Sequence, residues 1–235
     1  MDGMLSHFGR RLAYKVRRKF APRTIKLHGI TLLADQQDVP KGIRKQLYQK
    51  KYDPRKFLLV REALMPADRV LEAGAGIGFI GIACARICGP DNILSYEPNP
   101  AMKPVIEKNY ALNGMRPNLR NKVLATEAGE AEFFFDEGVL SSSLIDRKHG
   151  SATRVPADAI SDVVDSYNPS ALVMDVEGAE VDLLRSCNLR KINKIIIEMH
   201  PHVVGADKIE DLCNYLSENG FSIVRRISKS YYLSR

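Results

Sequence analysis

The chain has 235 residues, 45% of them hydrophobic, which is enough to bury one substantial core and favours one large domain over two. No apolar run approaches the roughly 20 residues needed to span a bilayer, and the basic N-terminus lacks the apolar stretch of a secretory signal. The net charge of +7 is uneven: residues 1–61 hold 16 Lys/Arg against 4 Asp/Glu, and the rest hold 19 against 24, so a basic segment precedes a mildly acidic body.

In "LSHFGRRLAYKVRRKF" (5–20), Leu5, Phe8, Leu12, Val16 and Phe20 fall on one helical stripe, with Arg10, Arg11, Arg17 and Arg18 away from it and Lys15 and Lys19 on its flanks. Such a helix suits an anionic membrane surface or an acidic partner, or else docks its stripe on the body and leaves a solvated basic back. Gly9 weakens the helix in either case. "IKLHGITLLAD" reads as a hairpin turning at His28-Gly29, and "GIRKQLYQKKYDPRKFLLVREAL" as helical pieces broken at Asp53-Pro54.

After Pro66 the pattern becomes β-α. "DRVLEAG", "NILSYEP", "SALVMDV" and "INKIIIEMH" are predicted strands, interleaved with the helices "GFIGIACARIC", "AMKPVIEKNYALNG", "AEVDLLRSC" and "KIEDLCNYLSENG". "NKVLATEAGEAEFFFD" is a strand and hairpin strand, "ADAISDVVDSY" a helix, and "FSIVRRISKSYYLSR" a closing antiparallel pair. Short apolar strands alternating with amphipathic helices predict a mostly parallel sheet covered on both faces. Cys84 and Cys88 sit four residues apart on an apolar segment, which reads as helix packing. With Cys187 and Cys213 they form no Cys-x-x-Cys pair, in keeping with a reducing cytoplasm.

"VLEAGAGIGF" ends the first strand of that sheet and opens a helix; Gly74, Gly76 and Gly78 let the backbone turn and approach a ligand closely. Phe79 stands where the dinucleotide fingerprint has its last glycine. Glu97, at the end of the second strand in "SYEPNP", has the offset of a carboxylate that accepts hydrogen bonds from ribose hydroxyls. It is also placed to cap a helix starting near Asn99.

With Glu72, Gly74, Gly76, Gly78 and Glu97 in these places, the sequence resembles the class I S-adenosylmethionine-dependent methyltransferases. The resemblance implies S-adenosyl-L-methionine as cofactor, held by Glu72, Gly74, Ala75, Gly76, Gly78, Phe79, Glu97 and Pro98, with Glu72 near the methionine amino group. "MDVEGAEVDLL" followed by "INKIIIEMHP" is similar to the paired signature of the FkbM family, as are "LHGI", "YEPNP" and "SSSL". Met174 departs from it, standing where many members carry Ile after a Lys. The likeness covers about residues 25–200 and implies methyl transfer to a hydroxyl of a sugar, glycolipid or natural product, that is, a small-molecule or glycan acceptor. Pattern and resemblance together predict an α/β fold: a doubly wound, Rossmann-like, mostly parallel seven-stranded sheet with an antiparallel C-terminal strand. A basic helical and hairpin segment (1–60) precedes the methyltransferase domain (61–235).

In a doubly wound sheet, ligands lie beyond the carboxyl ends of the strands where strand order reverses. That gathers Asp175, Glu177, Glu198 and His200 on one rim, as catalytic candidates whose charges need a compensating partner. Asp175 is the expected group that polarises or deprotonates the acceptor hydroxyl, and Glu177 lines the acceptor site. Glu180 gains modestly from the dipole of the next helix. His200 is an alternative base or a hydrogen-bond partner of the Asp175 turn. A metal on Asp175, Glu198 and His200 is conceivable, but the donors are marginal in number and the reading assigns none. "VLSSSLIDRKHG" (139–150) is either a lid or an ordinary loop. Competing readings are an RNA or protein methyltransferase gripping an acidic partner, a non-catalytic nucleotide-binding scaffold, and an NAD-dependent dehydrogenase. The basic residues show no nucleic-acid module, and the expected setting is cytoplasmic, with peripheral contact at the membrane through residues 5–20.

Overall fold

The computed structural model describes residues 7–136 and 150–235. A basic helix α1 (His7–Phe20) is followed by a hairpin, β1 (Thr24–Leu27) and β2 (Ile30–Leu33), and by helices α2 (Lys41–Gln49) and α3 (Pro54–Ala63). His28 and Gly29 form the hairpin turn with φ of 49° and 83°, the left-handed pair that a two-residue turn needs. Asp53 also takes a left-handed φ of 44°, and Pro54 then starts α3 with its φ already helical.

Next come β3 (Val70–Ala73), α4 (Phe79–Cys88), β4 (Ile93–Tyr96), α5 (Lys103–Ala111), β5 (Leu119–Arg120) and β6 (Val123–Ala125). The chain continues through β7 (Gly129–Asp136), β8 (Gly150–Ala159), α6 (Ile160–Tyr167), β9 (Ala171–Met174), α7 (Glu180–Ser186) and β10 (Lys194–Glu198). It closes with α8 (Pro201–Val204), α9 (Ala206–Glu218), β11 (Ser222–Ile227) and β12 (Ser230–Ser234). Seven strands form one sheet in the order β11-β12-β10-β9-β3-β4-β5. β5, β4, β3, β9 and β10 run parallel, and β12 is antiparallel to both of its neighbours. A separate small sheet has the order β6-β8-β7.

The central parallel strands β3, β4 and β9 are buried on both faces, and with β10 they divide the core by their period of two. Val70, Val173 and Ile196 pack with α3, α4 and α5 on one face; Leu71, Leu172, Ile195 and Ile197 pack with α6, α7 and α9 on the other. The first face also takes in the hairpin and α2 through Ile25, Leu32, Ile43 and Leu47, so residues 24–63 share the sheet's core. Residue 60, near which the boundary is expected, lies inside α3. Asn109 ties the hairpin to the glycine loop: its Oδ1 accepts from Leu33 N at 2.6 Å and its Nδ2 donates to Ile77 O at 2.8 Å. The helix expected from Ala157 starts at Ile160, because Ala157 and Ala159 are needed as partners of Val123 and Ala125 in the small sheet. The segment 139–150, read as either a lid or an ordinary loop, lies almost wholly outside the described residues.

Strand order reverses at β3, whose neighbours β4 and β9 lead away on either side. At that point Gly74 turns with φ of 87°, and a Cβ on it would meet the carbonyl oxygen of Asp175 at 2.1 Å. The two strand tips can approach so closely only because residue 74 has no side chain. Gly74→Ala is expected to destabilise the fold by about 2–4 kcal/mol, from backbone strain plus overpacking, and to abolish cofactor binding. Thermal unfolding and calorimetry check both effects.

Candidate active site

A cavity of about 740 Å³ opens over the carboxyl ends of β3, β4, β9 and β10, a size suited to a nucleotide-like ligand. Its sheet-side wall carries Gly74, Ala75, Gly76, Phe79, Glu97 and Pro98. The opposite side is built by the N-terminal segment, with Ile43, Tyr52, Asp53 and Arg55.

The glycines serve different ends. Gly76 faces the cavity, where a Cβ would come within 3.0 Å of the Tyr52 hydroxyl. Gly78, with φ of 80°, is turned to α5, where a Cβ would meet Ile106 and Tyr110 at 3.1 and 3.2 Å. Gly78 is thus a packing glycine and does not line the cavity.

Glu97 lines the cavity and bridges its rim: Oε2 accepts from Gly76 N at 2.7 Å and Oε1 from Asn99 N at 2.9 Å. It holds the loop to the tip of β4 and caps no helix, since α5 begins at Lys103. Each oxygen keeps acceptor capacity for a further donor. Burial pushes its carboxyl up to about 7, against the two backbone donors, which lower it.

Glu72 lies elsewhere. It shares the face of Val70 and is enclosed under α4, its Oε2 bonded to Ser95 Oγ at 2.5 Å and close to Gly81. Burial raises its carboxyl to about 7 as well. It does not line the cavity, so contact with a bound amino group, expected from the resemblance, is not offered by this geometry. The period-two alternation of β3 is the reason: a side chain in register with Val70 points into the helix layer.

On the other rim Asp175, Glu177 and Glu198 line the cavity, and His200 closes behind them, fully buried and outside its lining. The compensating cation is Lys56 on α3, 3% exposed, with Nζ 2.6 Å from Asp175 Oδ2 and 2.8 Å from Asp53 Oδ2. Burial works against its charge, but Asp175, Asp53 and Glu198 outweigh burial and hold the ammonium well above its ordinary range. The Asp53 carboxylate faces Lys56 instead of capping α3.

His200 sits among carboxylates. Nδ1 bonds Glu180 Oε1, and Nε2 lies 3.3 Å from Glu177 Oε2 and 3.7 Å from both Asp175 Oδ1 and Glu198 Oε1. Burial opposes its protonation, yet Glu180, Glu198 and Glu177 raise it from 6.5 to about 9. An imidazolium of this kind has no free lone pair at neutral pH, so the reading of His200 as a base gives way to one in which it positions the carboxylates. Glu198, burial notwithstanding, is brought down to about 2 by His200, Lys56 and Lys229, whose ammonium bonds Oε1.

Glu180 corrects the dipole reading. It is completely buried, held by His200 and by Gly178 N at 3.1 Å. One ligand atom from each of Asp175, Glu198 and His200 lies within 4.8 Å of the others, as in a cation site. Lys56, Lys229 and the imidazolium already supply positive charge there.

Lys56, Tyr52 and Lys229 are not among the site residues expected from the sequence, and Asp53 is read there only as a helix break. One signal existed for Lys56: it falls in helical register with Leu59, Val60 and Ala63, all buried, so a lysine stands on the apolar face of α3.

A reversed sheet with a glycine loop at its switch point and an acid at the tip of the next strand defines a Rossmann-like nucleotide-binding enzyme fold of the methyltransferase type. Residues 72–223 match the family described as the Methyltransferase FkbM domain, and the chain belongs to that family. Methyltransferase sdnD of Sordaria araneosa is 26% identical over 197 residues, spanning 66% of this chain and 74% of its own. The structure titled Methyltransferase FkbM from Methylobacillus flagellatus KT superposes with a TM-score of 0.52 at 14% identity, covering 97% of this chain and 60% of its own. P. horikoshii TYW2, solved in complex with MeSAdo, gives 0.50 at 12% identity, covering 95% and 80%. At such identities the structural likeness is one of fold.

The protein is therefore a methyltransferase that uses S-adenosylmethionine, and its residues fit that group. The Gly76 cradle is open toward the cavity, and Glu97 has acceptor capacity for ribose hydroxyls. Within the ion-paired cluster at the rim, Asp53, Asp175, Glu177, Glu180 and Glu198 surround Lys56, His200 and Lys229, and Lys51 and Arg55 line the same cavity.

Two outcomes are expected. Glu97 should bind hydroxyl donors in its ionised form, so cofactor affinity measured by calorimetry should rise with pH through about 7. Glu97→Gln should bind more weakly and lose that dependence. Glu180→Ala should cost about 3–5 kcal/mol, as for a broken buried pair, against about 0.5 kcal/mol or less for Asp182→Ala at an unburied position of the same helix. Because the folded pKa of His200 is raised, its stabilisation is complete below pH 6.5 and disappears as pH climbs through about 9. Denaturant titrations across that window should show the slope in the wild type and a smaller one in Glu180→Ala, where Glu198 and Glu177 still favour the imidazolium.

Proposed function

We propose that the enzyme transfers the methyl group to a hydroxyl of a small-molecule or glycan acceptor, with Asp175 as the residue that receives or shares the hydroxyl proton. The observation that carries this reading is the Asp175–Lys56 pair on the cavity wall, beside the glycine loop. A hydroxyl both donates and accepts, so it can give its proton to the carboxylate while taking a hydrogen bond from the ammonium. An ammonium acceptor would meet Lys56 with like charge and no lone pair.

When bound, S-adenosylmethionine supplies an electrophilic methyl group and a neutral thioether leaving group. The protein's part is alignment and proton handling. The glycine loop and Glu97 fix the donor side, and Asp175 with Glu177 orient the acceptor; placing reactants in line supplies about 7–11 kcal/mol of a barrier reduction. Asp175 takes the proton from its place on the cavity wall at the tip of β9, against Gly74 of the glycine loop, whereas His200 is protonated and lies outside the lining. Lys56 holds Asp175 Oδ2 by a hydrogen bond, while the imidazolium stands 3.7 Å from Oδ1.

Incubation of the full chain with methyl-labelled S-adenosylmethionine and a panel of sugars, glycolipids and polyhydroxylated metabolites, followed by mass spectrometry, should reveal a methyl ether. Asp175→Asn should lower turnover on that acceptor about 10²–10⁴-fold and leave cofactor affinity within about twofold. Full turnover by the variant, or a methylamine product, would overturn the assignment.

A further inference from the structure

α1 meets the body along a side on which Gly9, Ala13, Tyr14 and Arg17 are half-buried. Its inward contacts include Tyr14, packed against the core, and Arg17, whose Nη1 donates to the carbonyl of Tyr48 in α2 at 2.9 Å. Leu12, Val16 and Phe20, spaced four residues apart, face out and are 54%, 46% and 73% exposed. Among the described residues, eight large apolar side chains are exposed, and three of them form this single stripe. The expectation that the stripe docks on the body is thus overturned for these three positions. Around it stand the exposed Arg11, Lys15, Arg18 and Lys19, and α1 contains no acidic residue.

We propose that α1 is the surface by which this enzyme sits on an anionic lipid bilayer. The stripe advances about 40° per step of four residues, so the three side chains cover a narrow strip along the helix axis. A helix lying in the interface would bury that strip at the acyl boundary, while the long Lys and Arg stems reach up to lipid phosphates. Each basic residue near an anionic surface raises partitioning roughly fivefold. A second copy of the chain is a poor occupant, because two such faces would bring only like charges together. A nucleic acid would use the cations and leave the apolar strip in water.

The placement has a consequence for access. α1 rests on α2, and Ile43 and Gln46 of α2 line the cavity, so docking by α1 sets that wall one helix away from the bilayer. The inference stands independently of the acceptor assignment, since it uses no residue of the cavity.

The test is co-sedimentation of the full chain with vesicles of phosphatidylcholine alone or of phosphatidylcholine with phosphatidylserine, at low and high salt. Binding is expected to the mixed vesicles only, and to weaken with salt. Leu12→Ser/Val16→Ser/Phe20→Ser should lose at least about tenfold in partitioning, and Arg11→Gln/Lys15→Gln/Arg18→Gln/Lys19→Gln should lose at least as much. Both should keep wild-type circular dichroism and cofactor affinity, because all seven side chains are exposed. No binding to mixed vesicles, or binding indifferent to the serine substitutions, overturns the proposal. So does salt-sensitive retention of RNA or of an acidic polypeptide that survives those substitutions, or a doubled solution mass that they abolish.

Discussion

A lysine ammonium buried between two carboxylates organises this molecule. Lys56 is carried by a helix that precedes the first β-α unit, yet its charge is satisfied by Asp175 at the tip of β9, 119 residues later. Removing such a charge from water costs several kcal/mol unless partners are in place. The helix can therefore be buried against the sheet only in the register that puts Lys56 between Asp53 and Asp175. That register also sets Tyr52, Asp53 and Arg55 along the cavity. The family match begins at residue 72, so part of the cavity's wall and its principal cation lie upstream of the matched span.

A second buried cation stands on the opposite side of Asp175, 3.7 Å from its Oδ1. His200 bonds Glu180 through Nδ1 and turns Nε2 to Asp175, Glu177 and Glu198. The two cations together explain how five carboxylates can crowd one rim without forcing a proton onto each of them. They also separate the roles of the acids. Glu180 is sealed behind the histidine, Glu198 is neutralised by Lys229 and His200, and Asp175 and Glu177 remain on the cavity wall.

What could be read from the sequence followed what is periodic or local. The alternation of buried strands and helices predicted the reversed sheet, and His28-Gly29 and Asp53-Pro54 announced their turns through backbone preferences. The rim residues could be gathered because strand ends meet at a switch point whatever the loops do. Side-chain direction was less accessible. Glu72 stands one residue before the end of its strand, and only its alternation with Leu71 tells that it enters the helix layer. Glu180 looked like a helix-terminal acid because the partner that buries it, His200, comes 20 residues later. Lys56 was masked by its surroundings: within a segment of 16 basic residues, one more lysine carries no signal unless its register with Leu59 and Val60 is weighed.

The same reasoning separates the two meanings of basic charge in this chain. Lys56 lies in register with apolar neighbours and is consumed by the fold, whereas Arg11, Lys15, Arg18 and Lys19 surround an apolar strip that the fold leaves outside. Had the strip of α1 been the glue between helix and body, Leu12, Val16 and Phe20 would be buried and the cations would form a solvated back. Instead Tyr14 packs against the core and the Arg17 guanidinium bonds the Tyr48 carbonyl of α2, with Gly9 and Ala13 half-buried beside them. Exposing three large apolar side chains is unfavourable in water by roughly 1.5–3 kcal/mol each, relative to burial. A surface that covers them recovers that free energy, and the cations alongside select an anionic one.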